Sequence, residues 1–265
     1  MFDSHLHVDC LPMEEMEMMV LCGVNNVVSC MFYPHVHVDI DSLLLEKHTE
    51  RLLKFETWRA AQAGLNCFHA VGINPVAVPS DYEVYLEKLP DFLKEKEVVA
   101  MGEIGFEPAS QTLPDVSEQE KLVLSLLDIA KASNKPVIFH TPHAPELKKK
   151  YTEKCLQLCK DKGIPPQKIV IDHASGDTIA TILEAGAWAA ISIQPWRRLD
   201  AADAVDLIEE YADGKVMVDS DYSCLRSDAL AVPKVYQEMK RRKMSPDLIG
   251  KILSDNPARC FGLPR

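Results

Sequence analysis

The chain has 265 residues, a formal net charge of −11 at pH 7, 47% hydrophobic and 26% charged residues. This is the composition of an ordinary globular protein rather than a disordered or fibrous one. The acidic balance argues against a broad nucleic-acid-binding face, although bound metal ions can reverse the sign inside a small phosphate site.

No apolar run approaches the roughly 20 residues of a membrane span. The opening Met1-Phe2-Asp3-Ser4-His5-Leu6-His7 lacks the basic start and apolar stretch of a signal peptide. The eight cysteines form no Cys-x-x-Cys pair and mostly lie in apolar runs. They read as reduced, buried thiols of a cytoplasmic protein.

Taken in chain order, short apolar runs stand at 1–7, 26–32, 66–73, 98–106, 136–141, 168–174, 187–193 and 215–219. Helical patterns follow them at 12–22, 42–63, 81–96, 117–133, 144–162, 177–185, 200–211 and 227–242, with a last one at about 245–254. Runs such as Ile169-Val170-Ile171 are apolar on both faces, as parallel strands covered by helices must be. Eight strand–helix units in this length predict an α/β fold, a closed (β/α)8 TIM barrel. No Gly-x-Gly-x-x-Gly follows the first run, which disfavours an open doubly wound sheet. No linker interrupts the pattern, so residues 1–265 read as one domain.

A barrel carries its active site where the strands end. The first run ends in His5-Leu6-His7, two imidazoles on one face of an extended strand. The fourth carries Glu103, the fifth ends at His140, the sixth at Asp172-His173 and the eighth at Asp219. Asp221, two residues on, points the same way if the strand stays extended. One strand-end histidine is commonly a hydrogen-bonded core or surface residue. Polar residues recurring at the same end of successive strands form a constellation suited to two divalent ions.

These residues also carry a resemblance. His5-x-His7, Gly102-Glu103-Ile104-Gly105, Phe139-His140, the His173 motif, Val218-Asp219-Ser220, Val71-Gly72-Ile73-Asn74-Pro75 and the tail from Asn256 to Leu263 occur in the order seen in the TatD family of metal-dependent hydrolases. The chain resembles that family, a branch of the amidohydrolases, along its whole length. The resemblance implies a catalytic metal site with His5, His7 and Asp219 on one ion, His140 and His173 on the other, and Glu103 touching both. It implies a metal-activated water, with Asp219 placed to accept its proton. Zn, Mn, Fe, Co, Ni and Mg all suit such a ligand set.

The chain departs from the family where substrate contacts are expected. Asn74 stands where a histidine is frequent, Thr141-Pro142 replaces Ser-Arg, Gly105-Phe106-Glu107 replaces Gly-Leu-Asp, and Asp221 replaces a proline. Candidate substrate residues are therefore Glu107, Arg197 and Arg198 after the seventh strand, and His35 and His37 after the second. Barrels often bind phosphate near the seventh and eighth loops. His69 reads as a core histidine, and Lys148-Lys149-Lys150 as a solvated helix face.

The expected function is hydrolysis of phosphoester or related bonds in a small molecule or nucleic-acid fragment. The alternatives are an amidohydrolase acting on a small cyclic amide or lactone, and a metal-binding interaction module without catalysis. An open groove with exposed arginines would favour nucleic acid, and a closed pocket a small molecule.

Overall fold

The computed structural model describes residues 1–31 and 40–263. The loop call on His35 and His37 lies outside them. Eight parallel strands run β1 Phe2–Leu6, β2 Asn26–Cys30, β3 Asn66–Val71, β4 Val98–Gly105, β5 Val137–His140, β6 Ile169–Ile171, β7 Trp188–Ser192 and β8 Val216–Asp219. Each pairs with the next in chain order. The expected (β/α)8 barrel forms.

The seam between β8 and β1 is made largely by the residues beyond β8. His7 N donates to Tyr222 O at 2.8 Å, Asp221 N to His5 O at 3.0 Å, and Ser220 N to Asp3 Oδ1 at 3.0 Å. The chain's first and last strand ends are thereby tied around the mouth.

The covering helices include α1 Met13–Leu21, α2 Ser42–Arg51, α3 Thr57–Gln62, α4 Tyr82–Phe92, α5 Val116–Ser133, α6 Pro145–Lys162, α7 Ile179–Glu184, α8 Ala201–Glu210 and α9 Ala231–Arg241. Short polar side chains start several of them. The Asp41 carboxylate accepts from Leu44 N ahead of α2, and Asp200 forms a capping box with Asp203 ahead of α8. The helix expected over 42–63 is broken by a π-helical turn, Leu52–Glu56. There the buried Glu56 carboxylate accepts from Arg59 Nε at 2.6 Å, while the other arm of Arg59 reaches Val8 O and Leu11 O. The last helix runs past 254, through α10 Pro246–Gly250, a second π turn and α11 Asn256–Phe261. Among the described residues no helix is long and apolar enough to cross a membrane.

Two apolar layers result. The larger lies between the barrel and its helices and includes Leu6, Met101, Ile104, Phe139, Ile171 and Val218. The smaller fills the barrel interior with Phe2, Val28, Ala100, Ile138, Val170, Ala190 and Met217. α11 plugs the base: Phe261 stacks on Phe2 with ring centroids 6.3 Å apart, and Asn256 Nδ2 donates to Val216 O at 2.6 Å.

Membership of the two layers shows how the polar residues reach the mouth. On β5, β6 and β8 the alternation is regular. Ile138, Val170 and Met217 face inward, so His140, Asp172 and Asp219 do too. On β1 and β4 it is not. Phe2 faces inward and Leu6 outward although they share parity, and the β1–β2 register shifts between Asp3 and Leu6. The β4 register shifts likewise between Met101 and Ile104, both of which face the outer layer. Each bulge reverses the alternation just ahead of a polar residue and turns it into the barrel.

Candidate metal centre

His5, His7, Glu103, His140, His173 and Asp219 converge at the C-terminal mouth of the strands, all buried. Among the described residues, three sets of side chains bring their ligand atoms within 4.8 Å of one another: His5, His7 and Glu103; Glu103, His140 and His173; and His5, Asp172 and Asp219.

Glu103 occupies the centre. Its Oε1 lies 3.0 Å from His140 Nδ1 and 3.3 Å from His173 Nε2. Its Oε2 lies 3.9 Å from His5 Nε2 and accepts from Asn74 Nδ2 at 2.9 Å. The two oxygens thus address different histidines. The close approach of β4 to β5 that makes this possible requires a glycine: a Cβ on Gly105, at φ +138°, would stand 2.5 Å from His140 O.

The histidines are fixed from behind. His7 Nδ1 donates to Cys30 O at 2.9 Å, which leaves its Nε2 for the centre. His5 Nδ1 donates to Asp172 Oδ2, and His5 Nε2 has no hydrogen-bond partner among the described residues. The other oxygen, Asp172 Oδ1, accepts from His173 N at 2.8 Å and from Ser192 Oγ at 3.2 Å. Ser192 Oγ in turn accepts from His173 Nδ1 at 2.7 Å, which directs His173 Nε2 toward Glu103. His173 adopts a left-handed φ of 59°, uncommon for a residue with a Cβ. Its carbonyl accepts from Lys148 Nζ at 2.8 Å.

Asp3, Glu103, Asp172, Asp219 and Asp221 place five acidic side chains in one buried region. Burial, then the negative charge of Asp172, pushes the Asp219 carboxyl well above the ordinary carboxylate range. Burial likewise raises Asp3 to about 6. For Glu103 burial is outweighed by His140 and His5, which lower it to about 2. Burial of His140 is outweighed by Glu103, which raises the imidazole to about 9. Both Asp219 oxygens and His5 Nε2 lack hydrogen-bond partners among the described residues. The unpartnered Asp219 oxygens and His5 Nε2 in one buried region make a candidate cation site, and the residues present fit divalent metal ions.

Sequence reasoning placed several side chains differently. Lys148 is buried, whereas its neighbours Lys149 and Lys150 are exposed; the expected solvated face begins one residue later, because α6 turns Lys148 inward to the His173 carbonyl. β8 ends at Asp219, and Asp221 lies beyond it at φ 42° rather than on an extended strand. Its carboxylate still faces the centre, with Oδ1 3.7 Å from His7 Nε2. Not all the cysteines are buried, since Cys22 and Cys224 are exposed. His69 is the core histidine expected, buried in β3 with Nε2 2.8 Å from Thr57 Oγ1.

Of the substrate candidates, Glu107 reaches the centre, its Oε2 3.3 Å from His140 Nε2. Arg198 turns inward toward Asp221, and Arg197 points to solvent. Ser192 was missed by sequence reasoning, Lys148 was read as solvated, and Asp172 and Asn74 were named without the roles they take behind His5 and Glu103. Regular alternation from the inward Val170 was the available signal for Asp172.

With this geometry in hand, the comparisons with known proteins are consistent along the chain. The family model described as TatD related DNase matches residues 2–262. An uncharacterized metal-dependent hydrolase of Methanocaldococcus jannaschii is 31% identical over 247 residues, 91% of each chain. The crystal structure of a TatD-like protein from Archaeoglobus fulgidus superposes with a TM-score of 0.80 at 28% identity, covering 99% of this chain and 100% of that one. A TatD homologue from Escherichia coli shares the fold, with a TM-score of 0.70 at 17% identity over 99% of this chain and 98% of the other. The match of the family model over nearly the whole length, together with the archaeal relative, places this chain in the TatD family of metal-dependent hydrolases.

Proposed function

We propose that the chain, as one domain of residues 1–265, is a dinuclear hydrolase acting on phosphoester or related bonds. His5, His7 and Asp219 would hold one divalent ion and His140 and His173 the other, with Glu103 shared between them. The observation that carries this reading is the division of the Glu103 carboxylate, one oxygen toward His140 and His173 and the other toward His5. When bound, the two ions supply a Lewis acid for the scissile group and a water that is nucleophilic near neutral pH.

The protein's own groups do the rest. Asp219 accepts the proton of the attacking water as its oxygen bonds to the substrate centre and the bond to the leaving group breaks. Asp172 and Cys30 O hold His5 and His7 in one orientation each. Asn74 fixes Glu103 Oε2. Glu107 stands beside His140 at the edge of the centre, where a substrate would meet it. The family's description as DNase-related supports the phosphoester class.

The test is a metal analysis of the purified protein joined to a hydrolysis screen. Phosphodiesters, phosphomonoesters, lactones and cyclic amides are offered before and after chelation. The expected result is two ions per chain and chelator-sensitive phosphoester hydrolysis. Turnover of lactones or cyclic amides alone would transfer the site to amidohydrolase chemistry. Bound metal with no turnover of any class would favour a binding module.

A further inference from the structure

Arg198 carries a guanidinium whose hydrogen-bonding capacity is largely unsatisfied among the described residues. Its side chain is only 8% exposed, and among the described residues its single ionic contact is Nη2 to Asp221 Oδ2 at 3.7 Å, longer than a hydrogen bond. Both Nε and Nη1 are buried without a hydrogen-bond partner among the described residues. A guanidinium cannot shed its proton to escape this cost. Such a group is stabilised by an oxyanion, and the fork geometry fits phosphate or carboxylate.

The loop that carries it is held in place. Gln194 N donates to Leu199 O at 2.9 Å, and Arg198 N donates to Gln194 O at 2.7 Å, which closes a tight turn after β7. Gln194 Nε2 donates to Asp221 O at 2.8 Å, which pins that turn to the segment after β8. Arg198 is therefore delivered to the mouth by a braced segment. The carboxylate it meets belongs to Asp221, whose other oxygen faces His7.

The charge around the position is mixed with a cationic excess. Burial, and then the charges of Arg198, Lys148 on α6 and Arg197, lower the His143 imidazole, while Glu107 raises it, so three cations and one carboxylate act on this part of the rim. A compact anion of more than one charge suits that cluster better than a carboxylate.

We propose that Arg198 is the receptor for a phosphate oxyanion of the substrate, held at the rim of the metal centre beside Asp221. The proposal rests on the hydrolase reading above and narrows its substrate to a molecule with a phosphoryl group within reach of the β7 loop.

Inorganic phosphate is the probe. It is titrated calorimetrically into wild type, Arg198→Met, Arg198→Lys and Arg197→Gln, each both metal-loaded and metal-free, with acetate as the comparison anion. Loss of charge-assisted hydrogen bonds should weaken phosphate binding about 10- to 100-fold in Arg198→Met. Arg198→Lys, which keeps the charge but not the fork, should fall between the two. Arg197→Gln removes an equal charge from the exposed rim and should change binding by less than about threefold. Metal content should match wild type in all three variants.

Phosphate binding by Arg198→Met equal to wild type overturns the proposal. So does an equal loss in Arg197→Gln, which would reduce the effect to general field strength. A loss confined to acetate would assign the position to carboxylates instead. The metal-free titrations read the Arg198 contact by itself, so failure of the dinuclear reading, seen as absent metal, stays distinguishable from failure of this one. Thermal unfolding of Arg198→Met, or the Lys variant should the Met variant not fold, shows that binding and not folding was lost.

Discussion

Asp172 joins two histidines, one on β1 and one just beyond β6: its Oδ2 accepts from His5 Nδ1, and its Oδ1 accepts from the backbone N of His173 and from the Ser192 hydroxyl that orients the His173 ring. One carboxylate thus presents an Nε2 from each half of the candidate centre. Carboxylate–histidine pairs of this kind set the tautomer and raise the basicity of a metal ligand.

Asp172→Leu should accordingly lower metal affinity about 10- to 100-fold, and Asp172→Asn should recover part of the loss. Competition with a metallochromic chelator reads this without any substrate. Wild-type affinity in the Leu variant would mean that Asp172 serves only packing.

Glu103→Gln keeps the shape but removes the charge that faces both sets of histidines. Both ions should be lost together, and elemental analysis of the purified variant measures the stoichiometry. Retention of one full equivalent would show that Glu103 belongs to one ion alone.

Asp219 and Asp221 are the two carboxylates that end the eighth strand region, and they are separable. Asp219 is buried with both oxygens unpartnered among the described residues, whereas Asp221 faces His7 and Arg198. Asp219→Asn should lower the turnover of a phosphoester substrate by about 10²–10⁴-fold or more, as expected for loss of a general base. Asp221→Asn should act mainly on KM. A kcat collapse in Asp221→Asn with Asp219→Asn active would exchange their roles.

His69 provides a pH signature away from the centre. Burial lowers its imidazole from the ordinary 6.5 to about 3. Above pH 6.5 it is neutral in both the folded and the unfolded chain and contributes nothing to the pH dependence. Below 6.5 the unfolded chain binds a proton that the fold refuses, so stability falls as pH falls, by up to about 1.4 kcal/mol per pH unit. His69→Gln can keep a hydrogen bond to Thr57 and lacks the titration. Urea unfolding of both metal-free proteins at pH 7, 6 and 5 should show wild type losing stability relative to the variant on acidification. A constant difference between them would refute the assignment.

Much of this organisation is legible in the amino-acid sequence. Eight alternations of apolar run and helical pattern specify the barrel, because a strand apolar on both faces must be covered on both. The polar residues at 5, 7, 103, 140, 173 and 219 are readable as strand ends, where a barrel opens. The reason they meet is not in the pattern. Simple alternation from Phe2 would turn His5 outward, and alternation from Ala100 would do the same to Glu103; a register shift on each strand reverses it. A bulge is decided by how neighbouring strands pair, which a one-dimensional period does not encode. The same is true of Lys148, drawn inward to the carbonyl of a left-handed His173. Arg198 was one of two adjacent arginines with equal claims, and only the turn closed by Gln194 and braced against Asp221 sends it inward and leaves Arg197 in solvent. The chain by itself determined which chemistry was available at the mouth. Closure of the barrel decided which atoms face one another, because those distances depend on strand register and on loops brought together from opposite ends of the sequence.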